Sequence, residues 1–318
     1  MKISLLEPLN VAAEEIEKLS RTLTDMGNEF TYYDTKTTDV EELKRRSKGQ
    51  DIIMIANNPY PDEVVREADA LKMIAVAFTG IDHVGLEACK ERGIEVRNCA
   101  GYSNETVAEL VIELTLGIMR KILAADAATR TGKTSAGLIG TEIAGKRVGI
   151  IGCGKIGFRT AKLFQAFGAE VTAYQRTPDS EVEAEGIKFV DLDTLLAESD
   201  IVSIHTPLNP STKGFFGADK IAKMKETAIL INCARGPIVD NEALADALNN
   251  DRLAAAGIDV FDMEPPIPAD YCLLHAKNVL LTPHIAFLSK ESMVRRAIIE
   301  FDNVAAYLRG EEKNICKF

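Results

Sequence analysis

The chain has 318 residues, and at about 150 residues per domain this length predicts two domains. Apolar residues make up 46% of the chain and charged residues 27%, which is ordinary for a globular protein. The formal net charge of -11 repels nucleic-acid phosphates and anionic membranes, so neither is an expected partner. We expect a cytoplasmic protein, because the sequence shows no apolar run of about 18 residues and no signal-peptide pattern.

The first hundred residues alternate short apolar runs with helical patterns, which is typical of a parallel α/β sheet. The predicted strands are Lys2–Leu6, Glu29–Tyr33, Asp51–Ala56, Lys72–Phe78 and Gly93–Arg97. A helix is predicted over Val11–Met26. A longer one is predicted over Asn104–Lys121, where apolar residues recur at a helical period after a Ser103 or Asn104 cap.

The second half repeats this alternation after a polar loop around Thr131–Gly145. Its six strand-like runs are VGIIG, EVTAY, IVSIH, AILINC, AAGIDV and NVLLTP, as a full dinucleotide-binding domain requires. The amphipathic stretch Lys290–Leu308 predicts a final helix that returns to the first domain. We therefore predict an α/β fold of two Rossmann-like, doubly wound parallel-sheet domains. The smaller one is discontinuous, over 1–100 and 287–318, and the dinucleotide-binding domain spans 101–286.

The six cysteines form no C-x-x-C pair, and no histidine stands near one at a metal-binding spacing. This pattern predicts reduced, packed thiols and no metal site.

A glycine motif follows the first strand of the second half. The strand runs directly into Gly152-Cys153-Gly154-Lys155-Ile156-Gly157, and a helix is predicted over Phe158–Phe167. Gly152 permits a tight turn, Gly154 lets the backbone approach a pyrophosphate, and Gly157 lets the helix pack closely. Because a helix N-terminus attracts phosphate, we assign Gly152, Gly154, Lys155, Ile156 and Gly157 to the binding of a dinucleotide. The alternative is a purely structural turn.

The strand after this motif ends without the acid that holds the ribose hydroxyls in NAD enzymes. Gln175 and Arg176 stand there instead. Glutamine does not repel a ribose phosphate, and arginine pairs with one, so these residues favour NADP. The alternative is NAD, with Arg176 stacked on adenine or facing solvent.

Three later strands are each followed by a polar side chain. Arg235, Glu264 and His284 come after the runs AILINC, AAGIDV and NVLLTP. The carboxyl ends of parallel strands line one crevice, so we expect these three residues to converge. Arg235 is a planar cationic donor that suits an anionic substrate, His284 suits proton transfer, and Glu264 suits pairing with His284. Taken singly, each of these residues fits a structural role better. Taken jointly, with the glycine motif upstream, they indicate catalysis.

The sequence resembles the D-isomer-specific 2-hydroxyacid dehydrogenases over nearly its whole length. The matching stretches are Gly80-Ile81-Asp82-His83, Asn104–Glu109, the glycine motif, His205-Thr206-Pro207-Leu208, Asn232-Cys233-Ala234-Arg235-Gly236, Asp259-Val260-Phe261 with Glu264-Pro265, and Thr282-Pro283-His284-Ile285. The resemblance implies hydride transfer between NAD(P)H and a small 2-keto or D-2-hydroxy acid. It also implies a homodimer, although the apolar face of the helix Asn104–Lys121 can equally be covered within one chain.

The resemblance assigns further residues. It implies that His205, Thr206, Pro207, Cys233, Ala234, Asp259 and Thr106 contribute to the cofactor site, with Asp259 at the nicotinamide carboxamide. It also supports the interpretation that Phe78, Thr79 and Gly80 bind the substrate carboxylate, together with Arg235 and His284. Plain structural roles are the alternatives for Asp259 and for the helix start.

Two other functions remain open from the sequence. A dinucleotide-binding corepressor-like scaffold shares such a fold, and a dehydrogenase with the same triad can act on another small anion. The chain also departs from the family by lacking tryptophan and by placing bulky Phe287 and Leu288 after His284, which leaves the substrate undetermined.

Overall fold

The computed structural model of the protein describes residues 1–263 and 266–318. The chain divides into two compact units, one formed by Met1–Ser103 with Leu288–Phe318 and the other by Asn104–Phe287. Within the described residues, each unit contains a parallel sheet, one of five strands and one of seven, with helices in the connections. The predicted fold class, two doubly wound α/β domains with a discontinuous smaller one, is confirmed.

The strands of the first unit are β1 (Lys2–Leu5), β2 (Glu29–Tyr32), β3 (Ile52–Ile55), β4 (Met73–Val76) and β5 (Glu95–Asn98). They form one sheet in the order β2-β1-β3-β4-β5, all parallel. Every residue of the interior strands β3 and β4 is buried. Continuous apolar runs form these strands because helices cover both faces of a parallel sheet.

The helices between these strands are α1 (Ala13–Thr24), α2 (Val40–Ser47), α3 (Asp62–Glu67) and α4 (Leu86–Arg92). Helix α2 begins where the Asp39 carboxylate accepts the Glu42 N–H at 2.8 Å. Helix α4 ends at Gly93, whose φ of 65° is left-handed and suits a residue without a side chain.

The second unit carries the larger sheet in the order β12-β11-β10-β9-β6-β7-β8. Its strands are β6 (Arg147–Ile151), β7 (Glu170–Tyr174), β8 (Lys188–Phe189), β9 (Ile201–Ile204), β10 (Ile229–Asn232), β11 (Ala255–Ile258) and β12 (Val279–Leu281). Its helices are α5 (Asn104–Met119), α6 (Ile122–Arg130), α7 (Lys155–Ala166), α8 (Ser180–Ala184), α9 (Leu192–Glu198), α10 (Ala218–Ile221) and α11 (Asn241–Asn249). The strand order reverses between β6 and β9, which is where such sheets bind ligands.

Alternate residues of these strands pack on opposite faces of the sheet. Val148 and Ile150 of β6 join one core cluster with α5 and α7, whereas Ile151 joins a second cluster with α9 and α11. The broad apolar face of α5 packs on β10, β11 and α7, so it is covered within its own unit. Two buried cores thus fix the strands and hold their carboxyl ends at one edge.

The last helix, α12 (Lys290–Leu308), belongs to the first unit and packs against α1 and β4. It begins with a capping box, in which Ser289 and Ser292 each accept the other's backbone N–H. It buries Arg296, Glu300 and Asn303. Among the helices described, none combines the length and apolar composition needed to span a bilayer.

Several predicted element bounds are wrong. The helix predicted to reach Lys121 ends at Met119, because Lys121 takes a left-handed φ of 52° and α6 begins after it. The helix after the glycine motif begins at Lys155, with Gly154 as its cap, and not at Phe158. Strand β8 was not predicted, since two residues are too short to show a strand pattern.

Candidate active site

Three adjacent strands present candidate residues at the carboxyl edge of the larger sheet. Strands β10, β11 and β12 run parallel in register, with Asn232 beside Ile258 and Ile258 beside Leu281. Arg235 lies three residues after the last residue of β10, and His284 lies three residues after the last residue of β12. Neighbouring strands lie about 4.8 Å apart, so the two turns sit roughly 10 Å from each other across β11.

The turn that carries Arg235 is shaped by the fully buried side chain of Asn232. Its amide nitrogen donates to Arg235 O at 3.0 Å, and its amide oxygen accepts the Ala234 N–H at 3.0 Å. A Cβ on Gly236 would lie 1.7 Å from Phe261 O, so only glycine fits beside the next loop. The Arg235 guanidinium is partly buried and donates to Ala234 O at 2.9 Å.

His284 occupies a turn with an uncommon backbone conformation. Its φ is 55°, in the left-handed region that a side chain other than glycine enters at some cost. The His284 N–H donates to Asp259 O at 2.8 Å and to Thr282 O at 3.0 Å. The imidazole lies edge-on to Phe287, with ring centroids 5.3 Å apart.

The Asp259 carboxylate is fully buried and holds this same turn. One of its oxygens accepts the Thr282 hydroxyl at 2.6 Å and the Ile285 N–H at 2.8 Å, and the other accepts the Ala286 N–H at 2.9 Å. Burial raises the pKa of Asp259, and these three bonds act in the opposite direction. The carboxylate therefore ties both sides of His284 to the end of β11.

Glu264, the third predicted catalytic residue, lies outside the described residues, as does Pro265. Asp262, just before them, is held by the Asn241 amide and by the Tyr271 hydroxyl, the latter at 3.3 Å.

The glycine turn between β6 and α7 has the geometry of a phosphate-binding loop. Gly152 has a φ of 90°, and a Cβ on Gly157 would lie 2.1 Å from Gly152 O, so neither position accepts a side chain. A Cβ on Gly154 would meet no atom within 4 Å, which leaves open space in front of the turn. Since the first N–H groups of a helix have no acceptor within it, the start of α7 suits a pyrophosphate.

A cavity of about 440 Å³ opens in front of this turn. Its lining residues are Gly152, Gly154, Tyr174, Gln175, Arg176, Thr177, His205, Thr206, Pro207, Asn209, Ser211, Thr212 and Phe215. The Thr206 hydroxyl oxygen is buried and has no hydrogen-bond partner within the described part of the chain, as expected of a group that meets a ligand. The residues of this cavity therefore fit a bound dinucleotide.

The end of β7 presents an amide and a cation to the cavity. Gln175 accepts the Cys153 N–H at 3.1 Å and donates to Thr177 O at 2.8 Å, which fixes the orientation of its amide. Arg176 is exposed, and no carboxylate of the described residues lies within ion-pair distance of it.

The His205 ring lines the cavity beside Ser203. Burial lowers the pKa of this ring to about 4, which favours its neutral form, and Nε2 lies 2.9 Å from the Ser203 hydroxyl.

In the first unit, the predicted substrate residues follow β4. The Phe78 ring is buried against His83 and Tyr102, at centroid distances of 6.3 and 6.0 Å. The Thr79 hydroxyl is buried and has no partner among the described residues. Within the described residues, the backbone N–H groups of Thr79, Gly80 and Ile81 donate no hydrogen bond.

The chain matches the sequence model of the family described as "D-isomer specific 2-hydroxyacid dehydrogenase, NAD binding domain" over residues 112–286. It is 37% identical to a hydroxypyruvate reductase of Blautia hydrogenotrophica, over 92% of this chain and 93% of that protein. The chain belongs to the D-isomer specific 2-hydroxyacid dehydrogenase family. The predicted membership is confirmed, and the protein is an oxidoreductase with a nicotinamide cofactor.

Two solved structures resemble this dehydrogenase along its full length. An acyclic imino acid reductase in complex with NADPH and D-Arg superposes with a TM-score of 0.89 at 29% identity, covering 100% of both chains. The NAD complex of a D-isomer specific 2-hydroxyacid dehydrogenase from Lactobacillus delbrueckii ssp. bulgaricus gives a TM-score of 0.80 at 29% identity, also covering 100% of both.

The predicted cofactor residues of this dehydrogenase fall into two groups. Gly152, Gly154, Gln175, Arg176, His205, Thr206 and Pro207 line the cavity. Lys155, Ile156 and Gly157 form the start of α7, Thr106 lies in the first turn of α5, and Cys233, Ala234 and Asp259 follow β10 and β11. The cavity residues that sequence reasoning missed are Tyr174, Thr177, Asn209, Ser211, Thr212 and Phe215. Tyr174 ends β7, Thr177 follows it, and the other four lie in the loop after β9. This location was the available signal, because ligands bind at the carboxyl ends of strands.

Proposed function

We propose that the protein reduces a small 2-keto acid to the D-2-hydroxy acid, with NADPH as the preferred cofactor. The observation that carries this proposal is the placement of Arg235 and His284 on two turns at one sheet edge, in the same unit as the glycine cradle of Gly152, Gly154 and Gly157. No observation specifically favours either alternative function, a dinucleotide-binding scaffold or a dehydrogenase that acts on another small anion.

Arg235 binds and orients the substrate in this proposal. Its planar guanidinium donates to a carboxylate oxygen and to the adjacent carbonyl oxygen, which polarises the carbonyl bond. Negative charge that develops on the carbonyl oxygen is stabilised by the same fixed cation. The bound dinucleotide supplies the hydride.

His284 supplies the proton. When the carbonyl oxygen gains charge, the imidazolium donates its proton to that oxygen, and in the oxidation direction the neutral ring accepts it. We propose that Glu264 pairs with His284 and favours the imidazolium. Asp259 fixes the turn that aims the ring, and its predicted contact with the nicotinamide carboxamide stays part of the proposal.

The substrate carboxylate binds at the end of β4 in this proposal. The N–H groups of Thr79, Gly80 and Ile81 have no acceptor within the described residues, and the Thr79 hydroxyl is likewise without a partner there. Successive unpaired N–H groups form an anion-binding concavity. Because the chain carries a net charge of -11, positive potential must be local to this site.

Preference for NADPH is supported by the end of β7. A carboxylate there accepts ribose hydroxyls and repels a ribose phosphate, whereas Gln175 is neutral. Arg176 is exposed on the cavity wall and available to a phosphate. The similar imino acid reductase, which was solved in complex with NADPH, supports this preference.

We further propose a homodimer, formed through the segment 120–140 rather than through α5. Helix α6 has no buried residue, and Leu123 and Ile139 are 67% and 88% exposed. Ile122, next to Leu123, is also 54% exposed, and contiguous exposed apolar side chains are typical of a protein–protein interface.

The function is tested by following the absorbance of NADPH and NADH with hydroxypyruvate, glyoxylate and pyruvate. We expect turnover with at least one acid and a higher kcat/KM with NADPH than with NADH. His284→Ala should lower kcat by about 10²–10⁴-fold, with unchanged cofactor affinity, since it removes the proton donor.

His275→Ala is the matched control, because His275 is an exposed histidine whose ring lies 2.8 Å from Ala269 O. Tight cofactor binding without turnover of any acid would refute the enzymatic proposal. Full activity of His284→Ala would refute the assignment of the proton donor, and a preference for NADH would refute that of the cofactor.

A further inference from the structure

Asn98, the last residue of β5, contacts the turn that follows β4. Its side-chain nitrogen donates to Thr79 O at 2.7 Å, and its side-chain oxygen accepts the Ala100 N–H at 3.3 Å. One neighbour is an acceptor and the other a donor, so the orientation of this amide is determined by its partners.

This contact fixes the peptide between Thr79 and Gly80. In a planar trans peptide, the C=O and the following N–H point in opposite directions. Anchoring Thr79 O on Asn98 therefore turns the Gly80 N–H away from β5. That N–H has no acceptor within the described residues, and neither has the N–H of Ile81.

Asn98 is itself held by two segments from the far end of the chain. Its backbone oxygen accepts the side chain of Asn303, on α12, at 2.8 Å, and its backbone N–H donates to Asn314 O at 3.2 Å. The Asn314 side chain donates to Asn303 Oδ1 at 2.8 Å, and Asn303 is fully buried. A side chain anchored in this way keeps one rotamer at little further entropic cost.

We propose that Asn98 is a positioning residue for substrate binding, which orients the Gly80 N–H toward the substrate carboxylate. The Asn303 side chain and the backbone carbonyl of Asn314 hold Asn98 in place. This inference rests on the proposed function, in which the turn after β4 receives the carboxylate. It adds a residue that does not itself touch the substrate.

The test compares steady-state kinetics of wild type, Asn98→Leu, Asn98→Asp and Asn314→Gly with NADPH and the best 2-keto acid. Both Asn98 variants lack the donor to Thr79 O. We expect each to raise KM for the keto acid about tenfold or more, with kcat changed less than about threefold, because the carboxylate is bound equally in ground and transition states. KM for NADPH should not change.

Asn314→Gly is the matched control. It removes a side-chain donor from the same network, keeps the backbone acceptor for Asn98, and suits the left-handed φ of 52° at this position. We expect it to lower Tm while leaving KM for the keto acid within about twofold, since the bond to Thr79 O remains.

The outcomes separate this inference from the proposed function. If wild type turns over a keto acid and both Asn98 variants keep its KM, the positioning role is overturned and the proposed function stands. A raised KM in Asn98→Asp alone also overturns it, since added negative charge then explains the effect. If wild type reduces no 2-keto acid, the proposed function fails and the inference fails with it.

Discussion

His284 has a backbone conformation that its own side chain disfavours. A non-glycine residue at φ 55° is held by its surroundings, and here the surroundings are the buried carboxylate and the carbonyl of Asp259. Three donors from residues 282–286 end on that carboxylate. The position of the histidine is therefore set by an aspartate 25 residues earlier in the chain, at the end of the neighbouring strand.

We predict that Asp259→Asn lowers kcat by about 100-fold, because an ångström-scale displacement of a proton donor has an effect of this size. The amide nitrogen of asparagine cannot accept the N–H or O–H groups that now end on a carboxylate oxygen. The measurement is kcat with the keto acid, together with circular dichroism to establish folding.

Asp262→Asn provides the control for this change, as Asp262 lies three residues further on and is bound by Asn241 and Tyr271. It should affect kcat far less. Wild-type kcat in a folded Asp259→Asn protein would contradict the positioning of His284 by this carboxylate.

The location of a candidate site residue was predictable from the sequence where its position after a strand alone decides that location. Arg235 and His284 each follow an apolar strand, and parallel strands bring their carboxyl ends to one edge. The bonds of Asn232 to the Arg235 turn and of Gln175 to Cys153 were not predictable. Such bonds depend on side-chain rotamers and local backbone angles, and neither the hydrophobic periodicity of the sequence nor its composition specifies these.

At the scale of single elements, helix α12 buries the carboxylate of Glu300, although the sequence pattern of the helix predicts an exposed side chain there. Arg296 and Glu300 stand four residues apart, a spacing that is typical of an exposed ion pair on a helix. Both are fully buried, and the two Glu300 oxygens have no hydrogen-bond partner within the described residues. Burial raises the pKa of Glu300 far above its ordinary value; Arg296 acts against this, and Glu7 adds to it.

The raised pKa gives the free energy of unfolding a pH dependence of known sign. Between the unfolded pKa of about 4.3 and the higher folded value, the native state binds more protons than the unfolded state. Stability therefore falls as pH rises through that window. We predict that Glu300→Gln, which cannot ionise, raises Tm relative to wild type by a margin that grows from pH 5 to pH 8.

Thermal unfolding at several pH values in that range measures this margin. An unsatisfied buried group costs about 1–3 kcal/mol, and in a domain of this size each kcal/mol corresponds to about 2–4 °C. Glu291→Gln, on an exposed position of the same helix, should show no growing margin. A constant difference between Glu300→Gln and wild type at every pH would show that ionisation of Glu300 does not govern it.

At the scale of the whole molecule, both units place their candidate groups after the strands of a doubly wound sheet. This regularity made the fold class predictable, since alternating apolar strands and amphipathic helices allow few other arrangements. Helix α6, in the segment 120–140, was not predicted, although four of its nine residues are alanine, which favours a helix. The left-handed φ of 52° at Lys121, which separates α6 from α5, depends on local backbone geometry that the sequence pattern does not specify. The Thr141 N–H donates to Met119 O at 3.0 Å where the segment returns.

The exposed aliphatic side chains of that segment argue for association of two chains. We predict that Leu123→Lys converts a dimer to a monomer, because a lysine buried at an interface loses its hydration without a partner. Size-exclusion chromatography with light scattering measures the mass. Met26→Lys, at another exposed apolar residue outside the segment, should leave the dimer intact. If Leu123→Lys keeps the mass of two chains, or if wild type already has the mass of one, the segment 120–140 is not a dimer interface.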